Sequence, residues 1–459
     1  MKKILFLFSL LIFVNSSASQ DLSIVSVGKA TLEKDHLFLE NPYFKGWVSK
    51  SNKKIVENVI KLLRSDFSYY KNRFAVFPKK YRNHPSKKSV VEDVKYVSWQ
   101  KKETDYLVKM DFSSSVSKNE GLRYVARVYS INTKKVIREL QGNLFKKDWR
   151  KEGHYLADRI FHSITGKKSI FKSRVIFVSD VTSTGRGKKR KTRKEIYVVD
   201  FDGANRQRIT HHGGIVISPA ISPKGDKLVY SLIKKGKGKK RIELYLLDLV
   251  TKKRTILSRR KGLNSGGTFL PSGDEILLTL SNLGNAEIYA MNLATKNLRR
   301  VTHHYASDVD PSVNGDGSVM TFLSGRSGRA HIYTLDPSGK EKSVKRISFV
   351  GMFNATPRFS PDGKEIVFSS WLDNRFDLFK INPDGTGLAR LTKDFGSNES
   401  PSFSNDGEFI VFSSQRVISR YRAVQNIYLM DREGQILGAV VKDFGNCLSP
   451  RWTENFTGF

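Results

Sequence analysis

The sequence predicts a mainly β protein with an α+β N-terminal domain: a six-bladed β-propeller closed by a C-terminal strand latch. Three observations lead there. First, an apolar strand ending in Tyr or Phe, then two residues, then Asp or Asn, returns six times. The copies are Ile196-Tyr197…Asp200, Leu244-Tyr245…Asp248, Ile288-Tyr289…Asn292, Ile332-Tyr333…Asp336, Leu378-Phe379…Asn382 and Ile427-Tyr428…Asp431, spaced by 44 to 49 residues. Second, a Gly turn entering a β-rich run interleaves with it, at Gly225, Gly273, Gly317, Gly363 and Gly407. Third, Cys447-Leu448-Ser449-Pro450-Arg451-Trp452 matches Ser218-Pro219-Ala220-Ile221 and Ser400-Pro401-Ser402-Phe403 but has no blade after it.

A period of that length with about four short strands per unit is the signature of propeller blades. The Tyr or Phe ends the third strand and packs between blades, and Asp or Asn caps the turn to the fourth. The closing segment supplies the innermost strand of the first blade, so the ring has no free edge. The six acids and amides stand where turns need them, which outweighs a reading of them as metal ligands.

From the N-terminus onward, Met1-Lys2-Lys3, an apolar run from Ile4 to Val14 and Ser16-Ser17-Ala18-Ser19 describe a secretory signal peptide, residues 1–19. Eleven helical residues rise roughly 16 Å, short of the roughly 30 Å of bilayer hydrocarbon, which weighs against a membrane anchor. Residues 20–168 are expected to form the α+β domain. Lys53 to Ser65 and Trp149 to Thr165 have helical apolar spacing, the second ending at Gly166. Tyr106 to Phe112, Leu122 to Ile131 and Val136 to Phe145 read as strands, and Lys79 to Val90 as a basic loop. Residues 169–459 form the propeller.

The formal charge is +36, from 80 Lys+Arg against 44 Asp+Glu. Such an excess points to an anionic partner. Export makes chromosomal DNA a poor one and leaves envelope anions and acidic proteins. A single cysteine, Cys447, excludes an intramolecular disulfide. The charge is densest in loops between the second and third strands of three neighbouring blades: blade 1 (Lys188, Lys189, Arg190, Lys191), blade 2 (Lys239, Lys240, Arg241) and blade 6 (Arg420, Arg422). Solvated surface lysine is the plain reading of these runs; an anion-facing patch is the sharper one.

The junction His154-Tyr155-Leu156-Ala157-Asp158-Arg159-Ile160, then Thr165-Gly166, Phe171 and Arg174-Val175-Ile176-Phe177-Val178, resembles that of the TolB family, the periplasmic component of the Tol–Pal cell-envelope system. The resemblance covers nearly the whole chain. It implies a periplasmic binding protein that links the outer-membrane lipoprotein Pal with inner-membrane TolA, for envelope integrity and constriction at cell division. It implies no catalysis and no cofactor. By position, the TolA-type tether is Asp21, Leu22, Ser23, Ile24, Val25, Ser26 and Val27, a segment equally readable as an ordinary first strand. The Pal-type face is built by loops from strand four of one blade to strand one of the next. It takes in His211, His212, Leu263, Asn264, Gly266, Asp308, Val309, Asn354 and Glu399.

His211-His212 and His303-His304 suggest a zinc site, but their blades are not adjacent and no Cys or carboxylate has ligand spacing nearby, so no metal is expected. A propeller-capped serine peptidase would need a Gly-x-Ser-x-Gly elbow, and Gly325-Arg326-Ser327-Gly328 lacks that pattern. The alternative within the same fold is a TolB-like paralogue that binds peptidoglycan or another anionic envelope partner outside Tol–Pal.

Overall fold

The computed structural model describes residues 33–78, 88–90, 94–114, 121–185, 189–235, 240–338, 341, 343–420, 422–454 and 456. The expected signal peptide and the tether Asp21 to Val27 lie outside these residues, as do Lys188, Lys239 and most of the basic loop from Lys79.

The N-terminal part is a six-stranded mixed sheet under two long helices. Strands β1 (Asp35–Leu39), β2 (Tyr43–Lys45) and β3 (Phe74–Phe77) enter in parallel pairings, while β4 (Tyr106–Ser114), β5 (Gly121–Ser130) and β6 (Lys135–Phe145) form an antiparallel meander. Helix α1 (Lys50–Tyr69) starts where the Ser49 hydroxyl accepts from the Asn52 amide at 3.3 Å. It buries Ile55, Val56, Val59, Ile60, Leu62, Leu63 and Phe67 along one face. A short helix α2 (Tyr96–Gln100) precedes β4, and α3 (Trp149–Thr165) ends at Gly166, whose φ of 67° only glycine adopts cheaply. The meander and α3 match the expected spans. Strands β1 to β3 were not anticipated, because three to five residues carry too little alternation to stand out.

Six four-stranded antiparallel sheets follow. Blade 1 takes its inner strand from Cys447–Thr453, which pairs with Arg174–Ser179, followed by Glu195–Asp200 and Gln207–Arg208. The chain end therefore latches the ring, as the repeat count requires. Blades 2 to 6 begin at Ile215–Ile221, Asn264–Phe269, Asp308–Val313, Asn354–Phe359 and Ser397–Phe403.

The recurring aromatic makes two contacts. Within its own blade it stacks on the ring directly opposite on the second strand, as in Phe177/Tyr197, Tyr230/Tyr245, Phe322/Tyr333, Phe368/Phe379 and Phe412/Tyr428, with centroids 5.8 to 6.1 Å apart. Towards the preceding blade it joins that blade's apolar residues, as Tyr289 does with Val229 and Leu244. The Asp or Asn after it caps the turn: Asp248 Oδ1 accepts from the amides of Val250 and Thr251, and Asn292 Oδ1 from those of Ala294 and Thr295.

In an antiparallel blade, the turns after strands one and three share a rim, and the connections after strands two and four share the other. The α+β part rests on the first rim, against blades 6 and 1. Tyr70 donates to Asp406 Oδ2 at 2.5 Å and accepts from the Ile170 amide, and Asn72 donates to Asp431. One hydrophobic cluster runs without a break from Phe67, Tyr70 and Phe161 to Phe201, Phe409 and Val441. The second rim, the mouth, is left clear of that packing.

Candidate functional site at the propeller mouth

The mouth rests on a brace that recurs every second blade. The residue just before the strand-three apolar-aromatic pair is a buried carboxylate, and two strand-four residues reach it. Glu195 accepts from Arg208 Nη2 at 3.0 Å, Thr210 Oγ1 at 2.6 Å and the Gly213 amide at 2.7 Å. Glu287 accepts from Arg300 at 2.9 Å, Thr302 at 2.5 Å and the His304 amide at 2.9 Å. In blade 5, Asp377 takes Arg390 at 2.5 Å and Thr392 at 3.0 Å. Each carboxylate is fully or almost fully buried, its charge met by one guanidinium at Glu195 and Glu287 and by two, Arg390 and Arg375, at Asp377, with hydroxyl or amide donors on the remaining lone pairs. In blade 4, His331 stands in the acid's place, and burial together with nearby Arg346 and Arg329 holds its pKa below the ordinary histidine value. The brace was legible as Glu-Ile-Tyr followed by Arg-x-Thr, but the repeat search stopped at the aromatic.

This scaffold corrects three of the expected contact residues. Asn264, Asp308 and Asn354 have no exposed surface. Asn264 accepts from Ser258 and donates to the carbonyls of Arg260 and Ile242; Asp308 binds Arg326 at 2.6 Å; Asn354 lies 2.9 Å from His331 Nδ1. Asn264 and Asn354 tie the start of their inner strands to the loop before, Asp308 ties its strand to the turn between strands two and three of the same blade, and all three groups are spent inside the fold. The amide and carboxyl groups looked like recognition groups in sequence because their partners come from other strands.

The other expected face residues are spread over the mouth. His211 is exposed, whereas His212 is partly buried with Nε2 2.8 Å from the Tyr230 hydroxyl, and burial lowers its pKa. Leu263, Gly266 and Val309 line the central channel. Glu399 is partly buried, which raises its carboxyl pKa. The paired histidines are used separately: His304 Nδ1 accepts from the Ala306 amide, and His303 lies 3.8 Å from Glu341.

Two unlike sectors surround the channel. Over blades 3 to 5 the rim exposes bulky apolar side chains that sequence reading missed: Leu283, Tyr305, Phe349 and Met352 are 57 to 85% exposed. The Arg346 guanidinium lies 4.4 Å from the Phe349 ring centroid and helps hold it upright. Their signal was a large apolar residue in a polar turn at Leu283 and Tyr305, and an apolar run in a connecting loop at Phe349-Val350-Gly351-Met352-Phe353. Over blades 6, 1 and 2, Lys189, Arg190, Lys191, Lys240, Arg241, Arg420 and Arg422 are all exposed. Arg190 is also tied to Asp180 at 2.6 Å. The blade 6 hairpin adds Val417 and Ile418, both exposed.

On the far rim, Asp66, His154 and Asp202 bring three ligand-type atoms within 4.8 Å of one another. His154 Nδ1 lies 2.9 Å from Asp66, His154 Nε2 lies 3.6 Å from Asp202, and Arg150 binds Asp202. The guanidinium already supplies positive charge there, so the group reads as a hydrogen-bonded joint between α1, α3 and blade 1. Burial raises the Asp66 carboxyl to about 6.

The family model described as PD40, TolB beta propeller domain, matches residues 161–456. A "Protein TolB homolog" of Chlorobium chlorochromatii is 33% identical over 200 residues, 44% of this chain and 42% of that one. A "Tol-Pal system protein TolB" of Dinoroseobacter shibae is 32% identical over 145 residues, 31% of each chain. The matches thus span about a third to two fifths of these curated relatives. In fold, the chain is similar to the crystal structure of TolB from Acinetobacter baumannii, with a TM-score of 0.74, 24% identity, and coverage of 93% of this chain and 98% of that one.

Proposed function

We propose that this chain, which belongs to the TolB β-propeller family, is the protein-binding component of a periplasmic Tol–Pal system. In this reading the mouth docks a Pal-like lipoprotein domain, and the tether Asp21 to Val27 engages a TolA-like inner-membrane protein. Together they serve outer-membrane constriction and integrity at division. The chain acts by binding, without catalysis. Among the described residues no helix is long and apolar enough to cross a membrane.

The observation that carries the reading is the apolar sector of the mouth. Exposed Tyr305, on a loop braced by the buried Arg300–Glu287 pair, and Phe349, on a loop held by Ser348 and Asn354, are the type of aromatic anchor that protein interfaces use. The test is a titration of the full chain with the cognate Pal-like domain. Saturable one-to-one binding is expected, and its absence with a folded protein would remove the reading.

A second reading draws on the basic sector: a paralogue that holds peptidoglycan carboxylates or another envelope anion. The exposed cations of blades 6, 1 and 2 favour it. It predicts retention on peptidoglycan that salt abolishes, with no binding to the Pal-like domain.

A further inference from the structure

The central channel holds a charge arrangement that partner docking does not use. Each inner strand carries a register shift, and the residue within it has a positive φ: Ser218, Gly266, Asp310, Thr356, Ser400 and Ser449, at 49 to 64°. These six residues, one per blade, line a cavity of about 280 Å³ together with the side chains of Arg358 and Arg451. Four of the six are hydroxyl residues and one is an acid.

The charges do not balance. Arg358 from blade 5 binds Asp310 Oδ1 of blade 4 at 2.7 Å. Arg451, on the latch strand, has a hydrogen bond from Nη1 to the Pro450 carbonyl at 3.0 Å, and Asp310 is the carboxylate that acts on it electrostatically. Two guanidiniums and one carboxylate leave a net charge of +1 on the lining. The cost shows on Arg451, which the channel walls desolvate and Arg358 repels, so that its pKa falls to about 9. An uncompensated buried charge is expensive unless something neutralises it.

We propose that the channel is a binding site for a small tetrahedral oxyanion of the phosphate type, held between the forks of Arg451 and Arg358 with channel hydroxyls as further donors. Planar forks from two sides suit an anion with several equivalent oxygens. The cavity shares Leu263, Gly266 and Val309 with the expected docking face, but its charged groups Arg358 and Arg451 lie outside that set, and phosphate binding is read with no partner present, so the two proposals fail separately.

The test is thermal melting and titration calorimetry of the full chain with inorganic phosphate at constant ionic strength, with chloride as the reference. Phosphate should raise the melting temperature saturably, by about 2–4 °C for a chain of this size. Arg451→Met should abolish that rise while leaving melting without phosphate unchanged or higher, because it removes the unneutralised charge. Arg358→Met should also abolish the rise, since Arg451 then becomes the partner of Asp310; Arg451→Lys should weaken it. If Arg451→Met responds to phosphate as the wild type does, the anion is bound by surface lysines and the proposal is overturned. No response from the folded wild type, or stabilisation by calcium in place of phosphate through Asp310, would overturn it equally.

Discussion

The two sectors of the mouth share one scaffold and differ in what they show to solvent. Over blades 3 to 5, short connections hold Tyr305 and Phe349 on loops next to the Glu287 and His331 positions. Over blades 6, 1 and 2, longer connections between strands two and three carry exposed lysines and arginines. The physics of the two differs accordingly. Apolar rings act only at contact, and their energy survives salt; loop charges act at a distance and are screened within roughly 8–10 Å at physiological ionic strength. In the proposed docking this becomes a division of labour: the basic sector would govern how fast a partner arrives, and the apolar sector how long it stays.

That contrast can be broken from underneath. Glu287→Ala removes the carboxylate beneath the apolar sector and leaves Arg300, Thr302 and the His304 amide without their shared acceptor. A loss of about 2–3 kcal/mol is expected in denaturant unfolding, below the value for a fully buried pair because Arg300 is partly exposed. Tyr305→Ala with Phe349→Ala should leave stability unchanged and weaken binding of the Pal-like domain about 100-fold, through faster dissociation, in surface-binding kinetics. Replacing Lys189, Lys191, Lys240 and Arg241 by Gln should slow association about 3–10-fold at low salt and flatten its salt dependence, with dissociation unaltered. Equal effects from these two sets would erase the distinction.

The smallest effect on binding is expected from the far rim. Asp66 has a folded pKa near 6, above the ordinary carboxyl value of 3.8. The folded state therefore binds the proton more tightly than the unfolded chain does. Its contribution to stability is fully present below about pH 3.8 and is lost as pH rises through about 6. Asp66→Asn should remove that component from the melting temperature measured against pH. Binding at the mouth should not change.

Much of the fold was legible because its information is local and repeated. Tyr197, Tyr245 and their equivalents recur with a turn-capping Asp or Asn three residues on, and Ser449-Pro450 repeats the opening of an inner strand, so blade number and closure followed from counting. Strands β1 to β3 escaped because each is short and is specified by parallel neighbours distant in sequence. Which loops share a rim was legible, since connectivity alone decides it. Which side chains the mouth exposes was not legible: Asn264, Asp308 and Asn354 are polar in sequence and buried in the fold, while Tyr305 and Phe349 are aromatic and exposed. Polarity by itself does not say whether a partner is already supplied from another strand.

The most direct test of the account is a hydrogen-exchange footprint of the Pal-like domain on the full chain. Protection is predicted at residues 302–306 and 349–353, with none at 404–408 or 431–435 on the rim that holds the α+β part. Protection on that second rim, or no change at the first under saturating partner, would contradict it.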